Sequence, residues 1–148
     1  MNIPSIKQSS LSEIDIVCAI VLLDSDNRAL LQLRDIKPGL NAAGLWVFPG
    51  GHKESEEDIW SCAKREFFEE TNYHCEHSHW LMQIEDTFLN QTPKMLHIFW
   101  DFYDGNSSYV CQEGQALEFI SRNKASDIAM PEYLVSIWDL VILASKRI

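Results

Sequence analysis

A helix-forming segment at residues 58–71 separates two groups of apolar runs, and this order of elements constrains the fold more than any other feature of the sequence. Before the segment, residues 14–23 and 29–33 are apolar runs on either side of a short polar turn, which predicts a β-hairpin. Residues 45–48 predict a short strand, which ends at the Pro-Gly-Gly sequence of residues 49–51. The first half of the chain therefore predicts strands that lead into one helix.

The second half of the chain predicts more strands and a final helix. Residues 80–88 and 95–103 are apolar runs with a turn composition between them at residues 90–93, and residues 117–120 could form one more short strand. A helix is expected from Pro131 to about residue 146. Its apolar residues recur at helical spacing and predict one buried face: Met130, Leu134, Ile137, Trp138 and Val141.

Strands on both sides of a central helix, followed by a terminal helix, predict an α/β protein with a mixed sheet that is covered on both faces. The chain has 148 residues, which gives room for one compact core, so we expect a single domain over residues 1–148.

Composition and charge exclude several classes of function. A formal net charge of -10 argues against binding to a nucleic acid polymer, whose phosphates favour clustered Lys and Arg. No apolar stretch approaches the ~18 residues that a membrane span needs, and residues 1–11 lack the features of a secretory signal. The four cysteines are scattered and form no Cys-x-x-Cys pair, so we expect reduced thiols and a cytoplasmic protein.

An acidic run extends from just before the predicted helix almost to its end. The run contains only two basic residues, Lys64 and Arg65. It contains seven acidic residues: Glu54, Glu56, Glu57, Asp58, Glu66, Glu69 and Glu70. At about 100° per residue, Glu66, Glu69 and Glu70 share an arc of roughly 100° on the helix. A solvated acidic face would explain the charges, but such a face usually carries a basic residue four positions from each acidic one. The pattern modestly favours a site for a hard cation.

The Pro-Gly-Gly sequence before the helix strengthens this interpretation. Gly50 and Gly51 allow the backbone to approach a ligand closely, although a plain turn would also explain them. Carbonyl and carboxylate oxygens are the ligands that Mg²⁺ accepts. An acidic protein can bind a polyanionic substrate when divalent cations lie between them.

The same residues resemble the signature of the Nudix hydrolases, G-x(5)-E-x(7)-R-E-U-x-E-E-x-G-U with U apolar, over residues 51–73. The charged positions and the first glycine match: Gly51, Glu57, Arg65, Glu66, Glu69 and Glu70. The late glycine is replaced by Asn72, the residue next best suited to a left-handed helix end. The resemblance implies a Nudix-type α/β/α sandwich that hydrolyses a nucleoside diphosphate linked to another group.

The resemblance also implies a metal site. Glu69 and Glu70 would be ligands of Mg²⁺, with Mn²⁺ as a possible substitute, together with the carbonyl of Gly50. Glu66 would be a further ligand or the base that orients water.

Two further groups of catalytic residues are implied. Glu57 and Arg65 would form a pair that aligns the catalytic carboxylates. Relatives that cleave nucleoside triphosphates carry a Glu-Gly-Gln loop after the sheet, and residues 113–115 have that sequence, so Glu113 is a candidate metal ligand or general base. A polar turn is the alternative explanation for this loop.

Three residues are candidates for binding the substrate. Arg34, at the end of the second strand, resembles by position a phosphate-binding arginine of triphosphate-cleaving relatives, or is simply a surface residue at a strand end. Trp46 and Phe48 alternate along the predicted strand and share a face, so they could stack on a base or belong to the core.

The expected reaction is hydrolysis of a nucleoside triphosphate to the monophosphate and pyrophosphate. Residues 130–133 lack the asparagine with which relatives bind oxidised guanine, which argues against that substrate. Residues 31–39 are also similar to members that act on sugar-linked nucleotides, so a nucleotide-sugar hydrolase is the alternative. A module that senses a small nucleotide without cleaving it is the alternative from a different class.

Overall fold

The computed structural model describes residues 15–40, 42–86 and 94–148. Seven strands are found within these residues: β1 Asp15–Leu23, β2 Ala29–Leu33, β3 Trp46–Val47, β4 Gly50–His52, β5 His79–Asp86, β6 Lys94–Phe102 and β7 Ala116–Ile120. Two α-helices, α1 Ile59–Thr71 and α2 Glu132–Ser145, and a 3-10 helix at Arg122–Asp127 complete the described part.

The strands form one mixed sheet in which β1 is central. The spatial order is β3-β2-β1-β6-β5, while β4 pairs with β1 and β7 pairs with β2. β1 and β2 form the expected antiparallel hairpin. β1 and β6 run parallel over nine residue pairs, and β5 lies antiparallel to β6 at the edge of this order.

Each face of the sheet carries a separate hydrophobic core. On one face, the predicted apolar stripe of α2 packs against alternate residues of β1 and β6, with Trp138 and Val141 completely buried. On the other face, Cys62, Ala63 and Phe67 of α1 pack against Ile20 and the other strand residues whose side chains point to that face. This layering confirms the mixed sheet covered on both faces. No helix in the described ranges is long and apolar enough to cross a membrane.

The ends of α1 follow from two residues. The side chain of Asp58 caps the helix by accepting a hydrogen bond from the Ser61 amide at 2.7 Å. Asn72 ends it in the left-handed conformation at φ 60°, and its amide donates to the carbonyl of Phe68. The expectation that Asn72 could replace the glycine of the signature is confirmed.

Several elements differ from the predictions. Residues 49–51 are predicted to end a strand, but Gly50–His52 forms β4, which pairs with Val17 to Ala19 of β1. The 3-10 helix was not predicted, because its sequence has no helical apolar stripe. The turn expected at residues 90–93, and the ends of the strands predicted at residues 14 and 87–88, lie outside the described residues.

Candidate functional site

A cavity of about 310 Å³ opens where β4, β1 and β6 meet the start of α2. The carboxylates of Glu66, Glu70 and Glu113 line it together with the guanidinium of Arg34. These four charged side chains border a space that is large enough for part of a small molecule.

Glu70 is the most unusual of these carboxylates because it is only 4% exposed. It projects from the last turn of α1 and accepts a hydrogen bond from the Gly50 amide at 2.8 Å. The pKa of Glu70 is raised to about 8, chiefly by burial and also by the charges of Glu113 and Glu66. The hydrogen bond from the Gly50 amide and the charge of Arg34 act in the opposite direction. A buried carboxylate beside two others is poised to gain a positively charged ligand.

Arg65 holds the acidic residues of α1 and the preceding loop together. Its Nε and Nη2 donate to the two oxygens of Glu57 at 2.7 and 2.9 Å. Its Nη1 donates to Glu66 at 2.8 Å and to Glu69 at 3.2 Å. The bidentate contact with Arg65 lowers the pKa of Glu57 to about 2, so Glu57 stays ionised and holds the guanidinium in place.

Two glycines allow the backbone of β4 to fit between β1 and Glu66. A Cβ on Gly50 would lie 2.2 Å from the carbonyl oxygen of Cys18, and a Cβ on Gly51 would lie 2.1 Å from Oε2 of Glu66. The absence of a side chain at residue 51 therefore lets one oxygen of Glu66 lie against the backbone while Arg65 holds the other.

The loop that carries Glu113 is hydrogen-bonded both to α1 and to the residues of β2 and its end. Its backbone joins α1 through a bond from the Gln112 amide to the Glu70 carbonyl at 3.0 Å. It joins β2 through Gln32, whose amide side chain donates to the Glu113 carbonyl at 3.2 Å, and through Gln115, whose side chain donates to the Arg34 carbonyl at 3.0 Å. The structure thus brings Glu113 and Arg34 to the same cavity.

Only one of the two aromatic candidates lines the cavity. Phe48 is buried and lines the cavity, whereas Trp46 is half-buried, packs against the core on the α2 face, and is not among the lining residues. Both side chains pack in the same hydrophobic core on the α2 face.

Sequence reasoning missed the other polar residues of the cavity. Asp86, Lys94 and Tyr133 line it, although they come from β5, β6 and α2. The Tyr133 hydroxyl donates to Oδ2 of Asp86 at 2.8 Å. No local pattern could reveal a pair that is 47 residues apart in the sequence.

The oxygen donors around the cavity fit part of the shell of a hard divalent cation. Among the described residues, no three side chains of His, Cys, Asp or Glu stand close enough together to form a complete metal site. Glu69, an expected ligand, is 54% exposed and contacts Arg65. Mg²⁺ usually takes one or two carboxylates and completes its shell with water and phosphate oxygens, so a partial set of oxygen donors is sufficient. The buried Glu70, with Glu66 and Gly50 beside it, provides such a set.

The comparison with known proteins agrees with this geometry. The family model described as the NUDIX domain matches residues 14–132 of the chain. No curated protein gives a significant match.

Solved structures share the fold over almost the whole chain. A MutT protein from Methanosarcina mazei Go1 has a TM-score of 0.75 at 18% identity, covering 90% of this chain and 96% of that one. An Ap4A hydrolase from C. elegans, solved as a binary complex, has a TM-score of 0.75 at 18% identity, covering 91% and 100%. The NUDIX domain of NrtR from Shewanella oneidensis, solved with ADP ribose, has a TM-score of 0.73 at 14% identity, covering 93% and 97%. The family match over most of the chain, together with the α/β/α sandwich, shows that this protein belongs to the Nudix family of hydrolases.

Proposed function

We propose that this protein uses a divalent cation, Mg²⁺ or in its place Mn²⁺, to hydrolyse a nucleoside triphosphate to the monophosphate and pyrophosphate. The observation that carries the proposal is the buried carboxylate of Glu70, which lies in one cavity with Glu66 and Glu113. Three carboxylates would repel a polyphosphate unless cations lay between them. Burying such a charge is costly, and a cation that binds it would offset the cost.

Some residues of the site would bind the metal and the substrate, and others would hold those residues in position. When bound, the metal supplies positive charge against the phosphate oxygens and acidifies water for an in-line displacement. Glu70, Glu66 and the carbonyl of Gly50 would hold the metal, and Glu69 would join them by turning from Arg65. Arg34 would bind phosphate oxygens with its planar guanidinium.

The proton of the attacking water needs an acceptor at the cavity. Glu66 and Glu113 both line it, and both are candidates. For Glu66, the available atom would be Oε2, which lies against Gly51, because Arg65 already donates to Oε1. Arg65 and Glu57 would act by fixing the orientation of Glu66.

The position of Glu113 supports a triphosphate substrate. Its loop is anchored on α1 and β2, which holds Glu113 at the same cavity as Glu70 and Arg34. The carboxylate of Glu113 could help to hold a further cation on a chain of three phosphates.

A specific observation favours a second candidate, a nucleoside diphosphate linked to a larger polar group. A second cavity of about 410 Å³ shares Arg34 and Glu113 with the first and is lined by polar residues that include Gln32, Asp35 and Lys37. A sugar or a second nucleotide could occupy this space, as the name of the Ap4A hydrolase and the ADP ribose bound to the NrtR domain suggest.

The test is hydrolysis of a panel that contains the common nucleoside triphosphates, a nucleotide sugar, ADP ribose and a dinucleoside polyphosphate, with Mg²⁺, with Mn²⁺ and with EDTA. We expect pyrophosphate from triphosphates only in the presence of metal, and we expect Glu70→Gln to abolish turnover. The thermal unfolding of this variant should match that of the wild type in EDTA near pH 5, where Glu70 is protonated. Glu118→Gln, on an exposed position of β7, is the matched control and should behave as the wild type.

Cleavage of only the linked diphosphates would replace the triphosphate proposal by the second candidate. Failure to cleave any member, with one member still raising the melting temperature, would instead indicate a nucleotide sensor.

A further inference from the structure

A glutamine in β2 is buried although it takes no part in the chemistry proposed above. Gln32 is only 2% exposed, and the other residues of its strand are apolar: Ala29, Leu30, Leu31 and Leu33. Burial of a side-chain amide costs free energy unless its polar atoms form hydrogen bonds. An apolar residue would fill this position without that cost, so the amide at residue 32 indicates a specific hydrogen-bonding task.

The Gln32 amide donates a hydrogen bond to the backbone of Glu113. Its Nε2 lies 3.2 Å from the Glu113 carbonyl oxygen, and the Cys111 thiol donates to the same oxygen, also at 3.2 Å. Both lone pairs of this carbonyl are thus engaged. Cys111 is exposed, whereas Gln32 is buried in the sheet, where a hydrogen bond is stronger because water is excluded. The peptide that follows the Glu113 side chain is therefore held mainly by Gln32.

The loop backbone lies directly on β2 beside this hydrogen bond. Gly114 has a φ of +83°, and a Cβ there would lie 2.5 Å from the Leu33 carbonyl oxygen and 3.3 Å from Cγ of Gln32. Glycine is the residue that combines this backbone conformation with so close an approach. The Gln115 amide donates to the same Leu33 carbonyl at 2.8 Å. Residues 113–115 are thus held against the end of β2 at three successive positions.

The start of the same loop is tied to the last turn of α1. The Gln112 amide donates to the Glu70 carbonyl at 3.0 Å. The Val110 amide donates to the Thr71 carbonyl at 2.8 Å. The last four carbonyls of a helix have no partner within the helix, so these two bonds also satisfy the end of α1. Residues 110–115 therefore form a strap between α1 and β2, and each end of the strap is held by a different element.

We propose that Gln32 is a positioning residue for Glu113, the carboxylate that the strap contributes to the site. This role rests on the proposed function, in which Glu113 binds a cation or accepts the proton of water. The strap fixes the backbone on either side, and the Gln32 amide fixes the peptide at Glu113 itself. The Glu113 side chain then starts from a constant point relative to Glu70 and Arg34, which line the same cavity. Catalysis depends on such placement, since a shift of about 1 Å can cost roughly 100-fold in rate.

The first test is Gln32→Met, which removes the hydrogen-bond donor and keeps a side chain of similar length. For the triphosphate that the wild type cleaves fastest, we expect kcat to fall about tenfold. KM should change less than about twofold, because the Arg34 side chain is left in place to bind phosphate. Gln83→Met makes the same exchange at an exposed position of β5, and this matched control should keep the wild-type kcat and KM.

A second variant displaces the strap without touching the glutamine. Gly114→Ala adds a methyl group against the Leu33 carbonyl, so the strap must move away from β2. We expect kcat to fall at least about tenfold in this variant as well. Wild-type kcat in both Gln32→Met and Gly114→Ala would overturn the inference, and triphosphate hydrolysis itself would be unaffected by that result.

A double-mutant cycle distinguishes the positioning of Glu113 from a general structural role. In a Glu113→Gln background, Gln32→Met should lower kcat by less than about twofold, because the carboxylate that Gln32 positions is already gone. A merely structural role would give the same loss of kcat in both backgrounds. That additive result would overturn the inference.

Amide hydrogen exchange tests the placement without any turnover. The Gln112 and Gln115 amides are protected by their bonds to α1 and β2. We expect Gln32→Met to raise the exchange rates of both amides at least about tenfold, while the amides of β6, which is paired on both sides, keep their wild-type rates. Gln83→Met should leave the Gln112 and Gln115 rates unchanged.

The exchange rates also separate the positioning role from the proposed function. Unchanged rates at Gln112 and Gln115 in Gln32→Met would overturn the inference even if the protein hydrolyses triphosphates. Faster exchange in a protein that hydrolyses no nucleotide would support the placement of Glu113 by Gln32 and refute the proposed function alone.

Discussion

The buried carboxylate of Glu70 predicts an unusual dependence of stability on pH in the metal-free protein. Its pKa is raised from 4.5 to about 8, chiefly by burial. Between these two values the folded state keeps a proton that the unfolded state has released, so the free energy of unfolding falls as the pH rises. At about 1.4 kcal/mol per pH unit, the loss is roughly 3 kcal/mol by pH 7 and roughly 5 kcal/mol above pH 8.

The substitution Glu70→Gln isolates this effect because the neutral amide can still accept the bond from Gly50. Urea denaturation in EDTA at pH 5, 7 and 8.5 gives the free energy of unfolding of both proteins. From pH 5 to 8.5, we expect the free energy of unfolding of the variant to rise by several kcal/mol relative to that of the wild type. This change is a large share of the ~5–15 kcal/mol that stabilises a typical domain. Titrating groups that do not interact with Glu70 cancel in the difference between the two proteins.

Glu118→Gln controls for the loss of one negative charge at an exposed position. If the wild type and Glu70→Gln lose stability in parallel between pH 5 and 8.5, Glu70 is not held protonated by burial and the reasoning is refuted. Addition of Mg²⁺ should restore the wild type at pH 8.5 and have little effect on the variant, because a cation replaces the proton.

Three further predictions concern alignment and substrate binding. Arg65→Lys loses the bidentate contact with Glu57 and the bond to Glu66, so kcat should fall roughly 10- to 100-fold in steady-state assays while KM changes little; an unchanged kcat would contradict its alignment role. Gly51→Ala places a methyl group on Oε2 of Glu66 and should lower kcat at least about tenfold, and full activity would show that the position of Glu66 is unimportant. Arg34→Ala should raise KM roughly tenfold and lower kcat by less, since it removes phosphate binding; an unaltered KM would assign Arg34 to the surface.

Local sequence patterns predicted most of the elements because their causes are local. The helix α1 begins at the Asp58 cap and ends at the left-handed Asn72, and both residues are recognisable by type. The strand β4 was missed because Gly50 and Gly51 have no side chains to form an alternating pattern. Its pairing depends instead on close backbone contact with Cys18, which only the three-dimensional structure reveals.

The candidate site could be predicted only in part for the same reason. Helical geometry placed Glu69 and Glu70 on one arc, but tertiary contacts give them different surroundings: Glu70 is buried beside Gly50, whereas Glu69 is more than half exposed and faces Arg65. The pair formed by Asp86 and Tyr133 joins β5 to α2, and neither residue belongs to a motif. Residues that touch only in the folded protein leave no signal in a single sequence.

We propose that Glu70 and its neighbours bind a divalent cation in place of a proton. The most direct test is calorimetric titration of Mg²⁺ into the metal-free protein at pH 7, in two buffers that differ in their enthalpy of ionisation. We expect binding to release nearly one proton for each ion, and we expect Glu70→Gln to abolish both the proton release and the binding. Equal binding by the wild type and Glu70→Gln, or identical enthalpies in the two buffers, would contradict it.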